Sequence, residues 1–343
     1  AGLFEMHDRT AYEVFAYSYG PDDGSELRKR LVSACDRFAD IRTASHMDAA
    51  RRIHDEGIDI LVDLMGYTRD ARTEIAALRP APIQVSYLGY PGTMGAEFID
   101  YIITDRFVSP AEQEPFFTEK FVYLPECYQI NDRKRSIAKT TPSRSEVGLP
   151  ERKFVFCCFN HPYKITAPTF DIWMRLLKTI SRSVLWLLAT SSGAMANLRR
   201  EASARGVHPD RLVFAPIVPM EQHVARYRLA DLFLDTLPVN AGVTASDALW
   251  AGLPVLTCAG EKFSSRVAGS LLTAVGLPEL VTHSLPVYEA QALRLARHPA
   301  ELGRLRRRLA KNRLTAPLFD SERSTRHLER AYQMMWNLYL KGD

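Results

Sequence analysis

Short apolar runs that stop abruptly and give way to helical spacing recur along this chain, and this alternation constrains the fold more than any other feature. Strands joined through crossover helices pair in parallel, so the pattern prescribes an α/β architecture with helices packed on a mostly parallel sheet. In the first part, strands are expected at residues 12–17, 58–64, 83–88 and 100–104. Helices are expected between them at 25–35 and 45–56, with Ser25 and Ser45 placed as N-caps. From Phe107 to Pro150 the rhythm loosens into Pro-rich and polar sequence, with Val122, Tyr123 and Leu124 as its one clear strand. It restarts at 154–159, 184–189, 212–214, 232–234 and 255–257, five strands that make a second doubly wound lobe. Residues 287–340 read as helical, with Leu302, Leu305 and Leu309 on one face and a run of arginines on the rest, the usual form of a solvated helix face.

The chain divides accordingly. Residues 1–135 form a first Rossmann-like lobe, 136–150 a linker, 151–317 a second Rossmann-like lobe, and 318–343 a helix that packs back across both. At 343 residues the chain exceeds what one hydrophobic core normally serves. A formal charge of +4 with 46% hydrophobic residues calls for neither a nucleic-acid nor a membrane partner. No run approaches the roughly 18 apolar residues of a membrane span, and a cytoplasmic location is expected. The five cysteines, Cys35, Cys127, Cys157, Cys158 and Cys258, lack zinc-ligand spacing, so reduced thiols and no structural metal are expected.

In such folds the loops at the carboxyl ends of the strands carry the chemistry. The most informative loop runs from Asp235 through Asn240, Gly242, Val243 and Thr244 to Asp247, between an apolar strand and a helix. A helix start offers unpaired N–H groups and partial positive charge, which suits a diphosphate. Gly242 permits close approach, the Thr244 hydroxyl offers a donor, and Asp247 fits an acceptor for ribose hydroxyls. The same loop also reads as an ordinary capped helix, with Thr244 or Asn240 as the cap. Lys164 follows a strand end in Asn160-His161-Pro162-Tyr163-Lys164, where an ammonium neutralises charge on a departing nucleoside diphosphate or simply meets solvent. His223 and Arg226 share a helix face, suited to a base and to the phosphate side respectively, or to a plain helix surface. Leu88-Gly89-Tyr90-Pro91 ends a strand of the first lobe, where glycine serves either a sugar-contacting loop or a tight turn. The Asp-x-Asp motif of metal-dependent nucleotide-sugar enzymes, the Gly-x-Gly-x-x-Gly fingerprint, the P-loop and the Gly-x-Ser-x-Gly elbow are all missing from the sequence.

The segments 79–85, 88–93 and 100–105, followed by Phe159-Asn160, Tyr163-Lys164-Ile165, 183–188, 247–252, 260–261 and 265–268, resemble the protein O-linked N-acetylglucosamine transferase family over about residues 12–280. The resemblance implies a GT-B-like fold of two Rossmann-like lobes facing a cleft and a UDP-sugar donor; with the Asp-x-Asp motif missing, leaving-group stabilisation is expected to fall to Lys164 and a helix start, with no metal or other cofactor. It also implies inversion at the anomeric carbon and serine or threonine hydroxyls of a protein or peptide as acceptor. Position by position, Lys164 matches the family's diphosphate lysine, the expected catalytic residue, with His161 and Tyr163 beside it. His223 and Arg226 match the uridine-side pair, Thr244 the phosphate threonine and Asp247 the ribose carboxylate. Leu88 and Gly89, with Tyr90 and Pro91, line the sugar pocket, and Val218, Asn240, Gly242 and Val243 complete the donor set.

The chain departs from the family at Gly242-Val243, where animal members read His-Thr, at Met220 in place of a lysine, and at His161 in place of a glutamine. Glycine before the threonine is shared with the related protein O-fucosyltransferases, which use GDP-fucose. Fucosyl transfer and a catalytically silent nucleotide-binding scaffold therefore stand as alternatives. The family's first strand, a loop bearing an active-site histidine, and tetratricopeptide repeats are expected upstream of Ala1, so the first lobe is read as lacking its first strand. No general base is named within the chain, and the fragment alone is expected to be short of full activity.

Overall fold

The computed structural model describes residues 1–342. It comprises two compact units, Ala1–Lys134 with the C-terminal stretch from Pro317, and Arg135–Ala316. The expected mixed α/β architecture of Rossmann-like lobes is present in both.

The first unit contains α1 (Gly2–Met6), β1 (Phe15–Ser18), α2 (Glu26–Ser33), β2 (Arg37–Asp40), α3 (His46–Asp55), β3 (Ile60–Asp63), α4 (Thr73–Ala77), β4 (Ile83–Tyr87), β5 (Tyr101–Thr104) and β6 (Lys120–Tyr123). All pairings are parallel, in one sheet of order β1-β2 and one of order β3-β4-β5-β6. β4 and β5 are buried along their whole length, which is why they read as near-continuous apolar runs. The polar exception, Gln84, donates its amide to the carbonyls of Ala76 at 2.8 Å and Phe98 at 2.6 Å. Ser25 and Ser45 cap α2 and α3 as expected, accepting from the amides of Arg28 and Asp48, both at 3.1 Å. β2 escaped sequence reading because it is a four-residue edge strand with one buried position, Ala39, and a charged residue at each end, Arg37 and Asp40. A cavity of about 1130 Å³ is lined by β1 and β3 together with Tyr87, Tyr332 and Trp336.

The second unit contains β7 (Phe154–Cys158), α5 (Ala167–Thr179), β8 (Ser183–Leu188), α6 (Ser192–Ala204), β9 (Leu212–Ala215), α7 (Met220–Arg226), β10 (Leu232–Leu234), α8 (Val243–Ala251), β11 (Val255–Cys258), α9 (Val267–Ala274), β12 (Val281–Thr282), α10 (Leu285–Arg297) and α11 (Pro299–Asn312). Its parallel sheet has the order β12-β11-β10-β7-β8-β9, one strand more than expected, since two-residue β12 leaves no readable run. Residues 136–150 are a part of this unit and not a free linker. Ala138 N–H donates to Glu221 O at 3.1 Å, and Arg144 donates to Leu229 O at 3.1 Å and to Asp231 Oδ2 at 3.0 Å.

The C-terminal helical stretch is three helices, broken before Pro299 and around Pro317, where proline removes a donor. The last, α12 (Ser321–Lys341), belongs to the first unit and packs on α1 and β4. There the buried Glu329 carboxylate accepts from Asp8 N–H at 2.8 Å and lies 3.1 Å from His7 Nδ1. No helix among the described residues is long and apolar enough to cross a membrane. Part of the basic run on α11 is tied down, Arg306 to Asp231 and Arg308 to Glu279.

Candidate functional site

In the second unit the chain runs β7, β8, β9 to one side and then crosses to place β10, β11 and β12 on the other. The order reverses between β7 and β10, and the crevice outside the carboxyl ends of the strands at such a switch is where doubly wound sheets bind ligands. The two loops that leave these neighbouring strands are those of Lys164 and of Asp235 to Thr244.

Lys164 closes a single 3₁₀ turn, Pro162–Lys164, whose start is fixed by His161 accepting from Tyr163 N–H at 3.4 Å. The turn sends the Lys164 side chain inward, where Nζ donates to Asn240 O at 3.0 Å. An ammonium has three donors, so two remain for a ligand. Burial pulls the Lys164 pKa down, while the Asp235 carboxylate pulls it back up. His161 and Tyr163 themselves are exposed, with ring centroids 4.7 Å apart.

α8 begins at Gly242 with no side chain capping it, so neither Thr244 nor Asn240 is the cap. The Thr244 hydroxyl donates to Asn160 Oδ1, and the Asn240 amide donates to Thr236 O at 2.8 Å. The first-turn N–H groups of α8 therefore lack side-chain partners, an arrangement that attracts an anion. Thr244 departs from expectation, because its proton is committed to Asn160 and what it presents outward is lone pairs. Gly242 has φ −100°, so glycine is not required there by a left-handed backbone. Val243 is exposed.

Asp247 also differs from expectation. It is buried on α8 and paired with Arg135, whose Nε and Nη2 have no hydrogen-bond partner, so the carboxylate is engaged inside the protein. Arg135 is anchored in turn, its carbonyl accepting from Trp250 Nε1 at 3.1 Å. Arg226 is 4% exposed, with its guanidinium 4.6 Å from the Phe159 ring centroid. It donates to Pro216 O and to His223 Nδ1, so it acts on His223 and does not offer itself to a phosphate. An arginine donor on Nδ1 leaves the neutral imidazole with its proton on Nε2. Burial and the Arg226 charge push the His223 pKa down to about 4, so the ring is neutral at ordinary pH. Val218, in the loop after β9, is half-buried.

In the first unit, Leu88 and not Gly89 takes the left-handed backbone, with φ 69°. Gly89 is needed for close approach, since a Cβ there would sit 1.9 Å from the Leu64 carbonyl oxygen. Tyr90 packs edge-on against Tyr67 with centroids 5.5 Å apart, and Pro91 is exposed.

Sequence reasoning assigned no role to Asn160, Asp235, Thr236 or Arg135. Asn160 Nδ2 donates to Thr236 Oγ1 at 2.7 Å and to Asp235 Oδ1 at 3.2 Å, tying the two loops together. A polar residue directly after each of two apolar strands was the available signal.

The chain matches the model of glycosyl transferase family 41 over residues 2–141 and 136–328. It is 43% identical over 347 residues to a protein of Arabidopsis thaliana named probable UDP-N-acetylglucosamine–peptide N-acetylglucosaminyltransferase SEC, covering 99% of this chain and 36% of the relative. A UDP-N-acetylglucosamine–peptide N-acetylglucosaminyltransferase of Caenorhabditis elegans is 30% identical over 449 residues, covering 98% of this chain and 39% of that one. The chain thus spans little more than a third of the length of these relatives. Among solved structures, a mutant O-GlcNAc transferase of Thermobaculum terrenum superposes with TM-score 0.88 at 32% identity, over 98% of this chain and 64% of that one. A sucrose-phosphate synthase of Thermosynechococcus elongatus, at 14% identity and TM-score 0.61, shares the fold. The chain belongs to glycosyl transferase family 41.

Proposed function

We propose that the protein moves N-acetylglucosamine, or a related hexose, from a UDP-sugar to serine or threonine hydroxyls of proteins, with inversion and without a metal. The observation that carries the reading is the convergence of the Lys164 ammonium on the loop that opens the uncapped start of α8. The names of the relatives supply the donor and acceptor class.

In this reading the diphosphate lies against the first-turn amides of α8 and the two uncommitted N–H bonds of Lys164. The acceptor hydroxyl attacks the anomeric carbon, the bond from that carbon to the β-phosphate oxygen breaks, and the charge gathers on UDP. Lys164 and the helix start stabilise that charge where a bound cation serves in other transferases. A low-dielectric surrounding strengthens the interaction, and burial of Lys164 provides it. His223, neutral with Nε2–H outward, offers a donor to a carbonyl of the base. Leu88 and Gly89, held by the left-handed turn and the contact with Leu64, form the expected sugar loop. The proton of the acceptor leaves to a base that this chain does not identify.

Transfer of radiolabelled sugar to a mixed Ser/Thr peptide pool tests the reading, with UDP-N-acetylglucosamine and GDP-fucose as parallel donors and EDTA present. Label from the UDP-sugar supports it. Label from GDP-fucose alone would overturn it in favour of fucosyl transfer, and UDP binding with no transfer from either donor, in a longer chain that also carries the segments expected upstream of Ala1, would overturn it in favour of a silent scaffold.

A further inference from the structure

Asp235 has no place in the chemistry above, yet four donors converge on it. Its Oδ1 accepts from Thr236 N–H at 2.7 Å, Ala241 N–H at 2.8 Å and Asn160 Nδ2 at 3.2 Å, and its Oδ2 from Thr257 Oγ1 at 2.7 Å. The side chain is 3% exposed at the end of β10, directly at the switch in strand order. We infer that Asp235 is the positioning residue of the diphosphate site, its buried carboxylate holding the loop after β7, the turn 236–241 and the start of α8 in a single geometry. This rests on the reading of that site as a nucleotide-sugar site.

Two routes lead from this carboxylate to the expected ligand. Through the Ala241 amide it fixes the peptide that carries Asn240 O, the group that anchors Lys164 Nζ. Through Asn160 it decides which way a side-chain amide faces. With Nδ2 spent on Asp235 and Thr236, Oδ1 is turned to Thr244 and takes its proton. The ammonium and the helix start are thus set from one point, which neither a lysine nor a helix terminus does for itself.

The arrangement requires the ionised form. All four partners donate, a carboxylate only accepts, and a proton on it would face one of those donors. The groups of the packed elements that face it are the Lys164 ammonium, the Cys158 and Cys258 thiols, and Tyr288, whose hydroxyl donates to Asp235 O at 3.0 Å. Burial keeps both thiols and the phenol neutral, so Lys164 is the charge that opposes protonation. Burial nevertheless pushes the Asp235 pKa up to about 6, which places loss of the geometry just below neutral pH.

The test is binding of UDP-N-acetylglucosamine, whose diphosphate does not titrate in this range, between pH 7.5 and 5 to the wild-type chain, Asp235→Asn and Asp235→Ala. Wild-type affinity is expected to fall about tenfold across pH 6, a change on the scale of one lost charge-assisted hydrogen bond. Asp235→Asn keeps an acceptor for the two amides and is expected to bind measurably with no acid limb, while Asp235→Ala loses roughly tenfold or more at every pH. Hydrogen exchange at the Thr236 and Ala241 amides, read without ligand, is expected to be at least about tenfold faster in Asp235→Ala, with the β8 amides unchanged. An acid limb that persists in Asp235→Asn, or unchanged exchange in Asp235→Ala, overturns the inference. If the wild type fails to bind the donor at pH 7.5 it is the functional reading that falls, and the exchange measurement still decides the role of Asp235.

Discussion

Lys164 keeps a charge where burial disfavours one, with a single hydrogen bond in return. A group held at such a cost does little for stability. Lys164→Ala is therefore expected to change the unfolding free energy by less than about 1.5 kcal/mol while abolishing sugar transfer, as read by urea unfolding beside a radiolabel assay. His223 gives a pH signature of known sign. Its pKa is about 4 when folded against 6.5 ordinarily, so the unfolded chain takes the proton first and stability is lost as pH falls through that window. Asp235 acts the other way, from 3.8 to about 6, and gains stability as pH falls between those values. A His223→Asn comparison separates the two. Relative to that variant, wild-type stability should drop by about 2 kcal/mol from pH 7 to pH 4 after allowance for solvent screening. Lys164 and Thr244 were legible as candidates because each stands just past a strand or at a helix start. Asn160, Asp235 and Arg135 were not, since their roles consist of tertiary partners; for the same reason the sequence could not show that Arg135 engages Asp247 inside the protein or that Arg226 is spent on Pro216 and His223.

Elements were readable where a period was long enough to register. α3 showed itself through its spacing and its Ser45 cap, and replacing that cap by alanine is expected to cost about 1 kcal/mol in thermal or urea unfolding. β2 and β12 were lost because an edge strand with one buried residue, or a strand of two residues, carries no period. The C-terminal helices merged in the sequence because helical spacing continues across their proline breaks. At the turn after β4, the sequence marked the glycine correctly but for a more general reason than the structure supplies. Gly89→Ala drives a Cβ into the Leu64 carbonyl and is expected to cost about 3 kcal/mol or more, whereas Gly92→Ala meets nothing closer than 3.7 Å and is expected within about 0.5 kcal/mol of wild type. Equal stability of the two variants in urea would remove the packing argument for that turn.

At the scale of the molecule, the first unit is closed by residues from both ends of the chain, since α12 packs on α1 and Glu329 serves Asp8 and Tyr12. Deleting residues from Pro317 onward is expected to expose the stretch before Arg135 to protease while Arg135–Ala316 persists as a resistant core, checked by mass spectrometry of the digest. The sequence placed that last helix across both lobes and a linker at 136–150, and neither boundary was legible, because domain membership depends on contacts far apart in the chain. What was legible at this scale was the repeated βα rhythm and the pair of parallel-sheet units it builds. The central claim is that Lys164 and the start of α8 jointly hold a diphosphate. Calorimetric titration of the wild-type chain and Lys164→Ala with UDP and with uridine, both in EDTA, tests it most directly. The account predicts that UDP affinity drops by roughly tenfold or more in the variant while uridine binding is unchanged; equal UDP affinity in the two proteins would contradict it.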